Sequence, residues 1–167
     1  SATVDMGAPE LNPPSIPVIA DSNIEIPVEA EGKSFKITAV SMGNPHGVII
    51  VDNPDMIDIH AVGKTLEHHP MWPDRANIEF AQVINPKEIR MRVWERGSGE
   101  TQACGTGACA TAVAASLLGL ADSEGVTVHL LGGDLEISRD SQTGHILMKG
   151  PATTVFTGEM EVPAGLL

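Results

Sequence analysis

The stretch Thr106 to Leu120 is small or apolar on nearly every face. A helix lying on a protein surface keeps a polar stripe towards water, and one without such a stripe has to be enclosed. That requirement shapes the rest of the fold, because something must surround this helix on all sides. Strand-like runs are available to do so. Ile24–Glu29, Phe35–Met42, Val48–Val51, Ile78–Ile84 and Ile89–Trp94 come before it; Val126–Leu131, Leu135–Ser138, Ile146–Lys149 and Thr154–Phe156 come after. Ile89–Trp94 alternates, placing Ile89, Met91 and Val93 on one side and Arg90, Arg92 and Trp94 on the other. A second helix is predicted over Asp58–His69, halted by Pro70. Strands around one buried helix make an α+β domain, not an alternating βαβ fold.

The opening residues 1–23 are rich in proline (Pro9, Pro13, Pro14, Pro17) and read as a connector. Ala2–Met6 looks like the end of a strand, and the absence of an initiating Met leads to the expectation that the chain is cut from a longer protein. Ten basic residues against 22 acidic ones give a net charge of −12. A polyanion is bound through clustered Lys and Arg that displace its counterions, so nucleic acid and anionic membranes are poor partners for this chain. A small substrate is still accommodated by a few local charges. The most apolar window, Ala103–Ala121, is interrupted by Gly and Thr and suits a buried helix better than a membrane span. The two cysteines, Cys104 and Cys109, would lie about 7.5 Å apart along one helix axis. That is too far for a relaxed disulfide, and free thiols with no signal-peptide pattern fit a reducing cytoplasm.

The segment with chemical content is Glu95–Ala110. A strand ends at Glu95-Arg96, a loop with Gly97 and Gly99 follows, and Cys104-Gly-Thr-Gly107 opens the buried helix. The first turn of a helix has unpaired N–H groups and a positive field, which favour an anion or a thiolate. Cys104 is therefore a candidate proton-transfer base with a lowered pKa, and Gly105 and Thr106 are candidate donors to a carboxylate. Cys109, about 140° further round, reads as core packing. No Walker-type GxxxxGK[ST] or GxGxxG run is present. The remaining histidines, His60, His68, His69, His129 and His145, have no HExxH or CxxC companion, so no metal site is expected. Neither Glu88 nor Asp140 has the partner a glycosidase-type acid pair needs.

Several runs, taken in order, resemble the diaminopimelate epimerase family. Ser98–Ala110 (SGETQACGTGACA) is similar to its second cysteine motif, Ser41–His46 to its MGNPH motif, and Arg75–Phe80 to its substrate-contacting Asn segment. Trp94–Gly97 resembles the family's ERG segment, and Val4–Pro9 the end of its first domain. The resemblance covers nearly the whole chain. It implies a barrel-like mixed β-sheet wrapped around a central helix, one of two similar domains with the active site between them. Residues 1–23 would then end the N-terminal domain and connect it, 24–150 would form the C-terminal catalytic half, and 151–167 would supply a strand returning towards the first domain.

The resemblance further implies a cofactor-independent isomerase that needs no pyridoxal phosphate and interconverts LL- and meso-diaminopimelate for lysine and peptidoglycan synthesis. Two cysteines would act on opposite faces of the α-carbon, one as thiolate and one as thiol. Cys104 would be one of them. Asn44, Asn77, Glu95, Arg96, Gly105 and Thr106 would bind substrate, with His46 and Glu95 adjusting the thiol pKa values. Singly, each residue has a plainer use: Asn44 before Pro45 as a turn former, Asn77 at a strand end, Arg96 as a solvated charge, His46 as a structural histidine. In family order they point to one site.

Two departures stand out. Gly47 occupies the position after MGNPH where the family commonly has Cys, and the other catalytic cysteine of an ACGNG-type first-domain motif has no counterpart. The chain alone is therefore expected to lack turnover, and its partners are expected to be diaminopimelate and the missing N-terminal domain. Without that domain, exposed apolar surface is expected to drive self-association into a homodimer. The alternatives are a proline-racemase-like enzyme and a non-catalytic half-domain that only binds ligand or self-associates.

Overall fold

A computed structural model describes residues 1–165. Ten strands run along it: β1 (Ala2–Asp5), β2 (Ile26–Ala30), β3 (Lys33–Ser41), β4 (Pro45–Ile50), β5 (Asn77–Asn85), β6 (Glu88–Glu95), β7 (Gly99–Thr101), β8 (Val126–Leu130), β9 (Gly133–Arg139) and β10 (Ile146–Gly150). Helix α1 (Ile59–Glu67) lies between β4 and β5, and α2 (Gly105–Leu117) between β7 and β8. The strands form one mixed sheet in the order β1-β10-β9-β8-β6-β5-β4-β3-β2, with β7 added beside β6. The β4–β5 and β6–β8 pairs are parallel and the rest antiparallel.

The sheet curls around α2 but does not close, since β1 and β2 remain at opposite ends of the strand order. Seven of the strands touch the helix, β3, β4, β5, β6, β8, β9 and β10. Ala108, Ala110, Ala114 and Ala115 of α2 are fully buried against Val40, Ile89, Met91, Val128 and their neighbours. Small side chains let strands approach the helix from several directions at once, as its uniformly apolar sequence requires. The other face of the sheet carries a second core, in which α1 packs with Ile16, Trp72, Phe80 and Trp94. The alternation in β6 serves both: Ile89, Met91 and Val93 face α2, and Trp94 faces α1.

Several boundaries differ from the sequence reading. Helix α2 stops at Leu117, three residues early, because Gly119 takes a left-handed conformation with φ +71. The Leu120 amide then bonds to Ala115 O and the Gly119 amide to Ser116 O, a Schellman ending. β4 starts at Pro45, earlier than Val48, so His46 is a strand residue. The loop after Glu95 folds into a hairpin with β7, Gly99 pairing with Glu95. The expected strand Thr154–Phe156 is absent: residues 151–163 pair with no strand among the described residues, and Val155 and Phe156 are exposed. β-branched and aromatic residues favour a strand only where a neighbour supplies the hydrogen bonds. Leu166 and Leu167 of the expected returning strand 151–167 lie outside the described residues.

At Gly47 the structure gives a reason for the departure noted above. A Cβ there would sit 2.8 Å from Cζ2 of Trp72 and 3.1 Å from Cγ2 of Ile37. Trp72 fills the space that a cysteine side chain would need.

Candidate active site

The parallel β4–β5 pair puts His46 directly opposite Asn77, and β5 runs antiparallel to β6, whose last residue is Glu95. One rim of the sheet therefore gathers Asn44, His46, Asn77, Glu95 and Arg96, and Cys104 at the start of α2 arrives at the same rim. Cys104 is the N-cap of α2 in extended conformation, and the Gly107 amide donates to its Sγ at 3.3 Å. It is a thiol performing the capping that Ser or Asp usually performs. The amides of Gly105 and Thr106 stand in the first turn, where no helical carbonyl precedes them.

Four groups connect inwards from the sulfur. Thr106 Oγ1 lies 3.6 Å from Cys104 Sγ and 3.1 Å from His46 Nε2. Asn44 Oδ1 lies 3.0 Å from the same Nε2, and its Nδ2 donates to Thr106 Oγ1 at 3.4 Å. His46 Nδ1 lies 2.6 Å from Oε1 of Glu79, and both side chains are 0% exposed. Gly107 gives this carboxyl room: a Cβ on it would stand 2.7 Å from Glu79 Oε1 and 3.1 Å from Cys104 Sγ.

The expected lowering of the Cys104 pKa is reversed. Burial, the Glu79 carboxyl and, less strongly, Glu95 push the thiol up to about 11, against hydrogen bonds from Thr106 and Gly107 that act the other way. Burial is the largest of these effects, with the residue only 8% exposed. Cys109 is fully buried in the α2 core and is pushed up to about 12, by burial and then by Cys104. Its reading as core packing fits, and both cysteines are free thiols.

The remaining predicted residues form a bracing layer. Asn77 donates to Pro45 O at 3.0 Å and accepts from the Arg96 amide at 2.9 Å, stapling the start of β4 to the end of β6. The Arg96 guanidinium donates to Asp74 O at 3.1 Å, and Glu95 accepts the Thr101 hydroxyl hydrogen bond. Sequence reasoning overlooked two buried carboxyls. Glu79 is held in the β5 interior, and burial pushes its pKa up, although His46 opposes this. Glu67, at the end of α1, accepts from Trp94 Nε1 at 2.8 Å, the Gly97 amide at 2.9 Å and Arg75 Nη1 at 3.1 Å. An acid in an otherwise apolar strand run, Asn77-Ile-Glu-Phe80, was the available signal for Glu79. Among the described residues no three His, Cys, Asp or Glu side chains converge as a metal site, and no helix is long and apolar enough to cross a membrane.

A curled mixed sheet around a helix that opens on a thiol defines a class, and solved structures share the fold. A hydroxyproline epimerase from Agrobacterium vitis, with bound trans-4-hydroxy-L-proline, superposes with a TM-score of 0.62 at 12% identity over 87% of this chain and 48% of that one. A probable proline racemase from Agrobacterium radiobacter K84 gives 0.60 at 11%, with the same coverage. At that identity the likeness concerns the fold alone. The sequence goes further. Residues 38–155 match the family model for diaminopimelate epimerase. Diaminopimelate epimerases from Desulfovibrio desulfuricans and Acetivibrio thermocellus are 51% and 52% identical over 95% of this chain. The chain belongs to the diaminopimelate epimerase family. It spans 58% and 57% of the length of those two relatives.

Proposed function

We propose that this chain is the C-terminal half of a two-domain, cofactor-independent epimerase interconverting LL- and meso-diaminopimelate, with Cys104 as one of its two proton-transfer thiols. The observation that carries this reading is the position of Cys104. It caps α2 on the rim where Asn44, His46, Glu95, Arg96 and Thr106 also stand. A thiol held protonated at neutral pH is suited to giving a proton to a carbanion, and one hydrogen-bonded by Thr106 and Gly107 can keep the charge after taking one. The free first-turn amides of Gly105 and Thr106 suit a substrate carboxylate, Arg96 a second one, and Asn44 an ammonium group. Asn77 would act by positioning Arg96.

Residues 1–23 would connect to the first domain, 24–150 would form the catalytic half, and 151–167 would return a strand to the first domain. Cys109 lies in the α2 core, so it does not replace the second thiol, and the isolated chain would be inactive. A working thiol needs a reducing compartment, which favours the cytoplasm. Exposed Val155, Phe156 and Met160 would pair two isolated copies as a homodimer.

The test is to join this chain to the N-terminal portion of the Acetivibrio thermocellus relative and follow conversion of LL- to meso-diaminopimelate with uptake of α-deuterium from D2O. The fusion should convert, its Cys104→Ser form should not, and the chain by itself should not. Turnover by the isolated chain would overturn the half-device reading. A folded fusion acting on proline or hydroxyproline instead would move the substrate to the other class of cysteine-pair racemases.

A further inference from the structure

Glu79 has no assigned purpose in the reading above, yet its surroundings are specific. It is wholly buried, Oε1 meets His46 Nδ1, and Oε2 has no hydrogen-bond partner. An ionised carboxylate with an unpartnered buried oxygen is costly, whereas a neutral carboxylic acid tolerates a bare carbonyl oxygen much better. Cys104 is the other group near it able to take the charge. The groups facing Glu79 are His46 on β4, Cys104 at the start of α2 and Glu95 at the end of β6.

We propose that Glu79 and Cys104 share a single negative charge, with His46 and Thr106 carrying the proton between them, so that Glu79 is the internal store for the proton Cys104 gives up. In one state Glu79 is a carboxylate accepting from His46 Nδ1–H, Nε2 accepts from the Thr106 hydroxyl, and Cys104 is a thiol. In the other, the Sγ–H bond breaks as its proton joins Thr106 Oγ1, the Thr106 proton passes to Nε2, and the Nδ1 proton passes to Glu79 Oε1. The products are a thiolate and a neutral acid, with proton number and total charge unchanged. In the second state every hydrogen bond runs towards the sulfur: Glu79 to Nδ1, Nε2–H to Asn44 Oδ1, Asn44 Nδ2 to Thr106, and Thr106 to Sγ. Glu79 is thus a positioning residue that acts through His46. The idea rests on the proposed role of Cys104, but its test does not use epimerase activity.

A thiolate fed by an internal proton acceptor has a population independent of pH wherever the pair holds one charge. Alkylation of Cys104 by iodoacetamide in the native chain, read by peptide mass, should therefore rise with pH, level off once Glu79 has lost its solvent-exchangeable proton, and rise again only in strong alkali. Glu79→Gln should remove the level interval and leave a rate climbing about tenfold per pH unit. Above the interval's onset the variant should be the faster of the two. A packing role for Glu79 would change the rate without changing the shape of the profile. A native profile with one unbroken slope would overturn the proposal, and so would a folded Glu79→Gln chain that keeps the level interval. If that variant fails to fold, the native profile decides alone. Failure of the diaminopimelate fusion with the level interval intact would count against the substrate reading and not against the shared charge.

Discussion

Gly107 shows how tightly single atoms are fitted around the thiol. A methyl group there would stand 2.7 Å from Glu79 Oε1 and 3.1 Å from Cys104 Sγ, and both neighbours are held by other bonds. Gly107→Ala should therefore destabilise the chain by about 1–3 kcal/mol, as overpacking does, whatever Ala adds in helix propensity. Urea unfolding measures the loss, and an unchanged midpoint would show that the carboxyl can move aside. Glu79 itself should leave a mark on stability against pH. Burial raises its folded-state pKa above the ordinary 4.5. Its contribution is then complete below 4.5 and lost as pH rises through the raised value. Glu79→Gln should gain on the native chain as pH rises through that window, and a constant difference between the two would refute the assignment. Gly107 was legible as part of the helix-opening segment, but Glu79 was not legible as part of the site. A carboxyl 25 positions before Cys104 becomes its neighbour only because β5 and the start of α2 share one rim.

Elements were read more reliably than their junctions, and for a physical reason. Period-two alternation and proline stops lie within one segment, so β6 and α1 could be placed from the chain alone. β7 and the early start of β4 depend on partners: Gly99–Thr101 is a strand because β6 presents a free edge, and Pro45 begins β4 because Ser41 pairs with it. Thr154–Phe156 is the converse, with strand-forming residues that lie beside no strand of the sheet. Glu67 is a junction device of the same sort. Its carboxylate ties the end of α1 to the β6–β7 turn through Trp94 and Gly97. Glu67→Ala leaves a buried indole N–H without an acceptor and should cost about 2–3 kcal/mol. Burial alone would raise the Glu67 pKa, but the Trp94 and Gly97 hydrogen bonds, with His68 and Arg75, lower it below 4.5. The native chain should therefore lose stability as pH falls below 4.5, and the alanine variant should lose it less steeply because the Glu67 share is gone. Parallel acid-unfolding curves for the two would rule this out.

At the scale of the molecule, the apolar residues of the final segment are its least satisfied surface. Val155, Phe156 and Met160 are 90%, 85% and 81% exposed. Replacing all three by Ser should lower any self-association seen in sedimentation while leaving the thermal midpoint unchanged, because these side chains contribute nothing to either core. A fall in the midpoint would mean that the segment packs after all. The sheet's outer pair carries a different lesson. β1 is held by β10, with Ala2 beside Gly150 and Asp5 beside Leu147. Ribosomes add about 5–20 residues each second, so the opening strand waits on the order of ten seconds for its neighbour to be made. During that interval β3 to β6 can pair in the order they emerge, but the strands that cover the far side of α2 do not yet exist. A strand made late, β10, therefore secures β1, and a nascent chain that stalls before Ile146 leaves the apolar helix open on one flank to whatever chaperone is nearest.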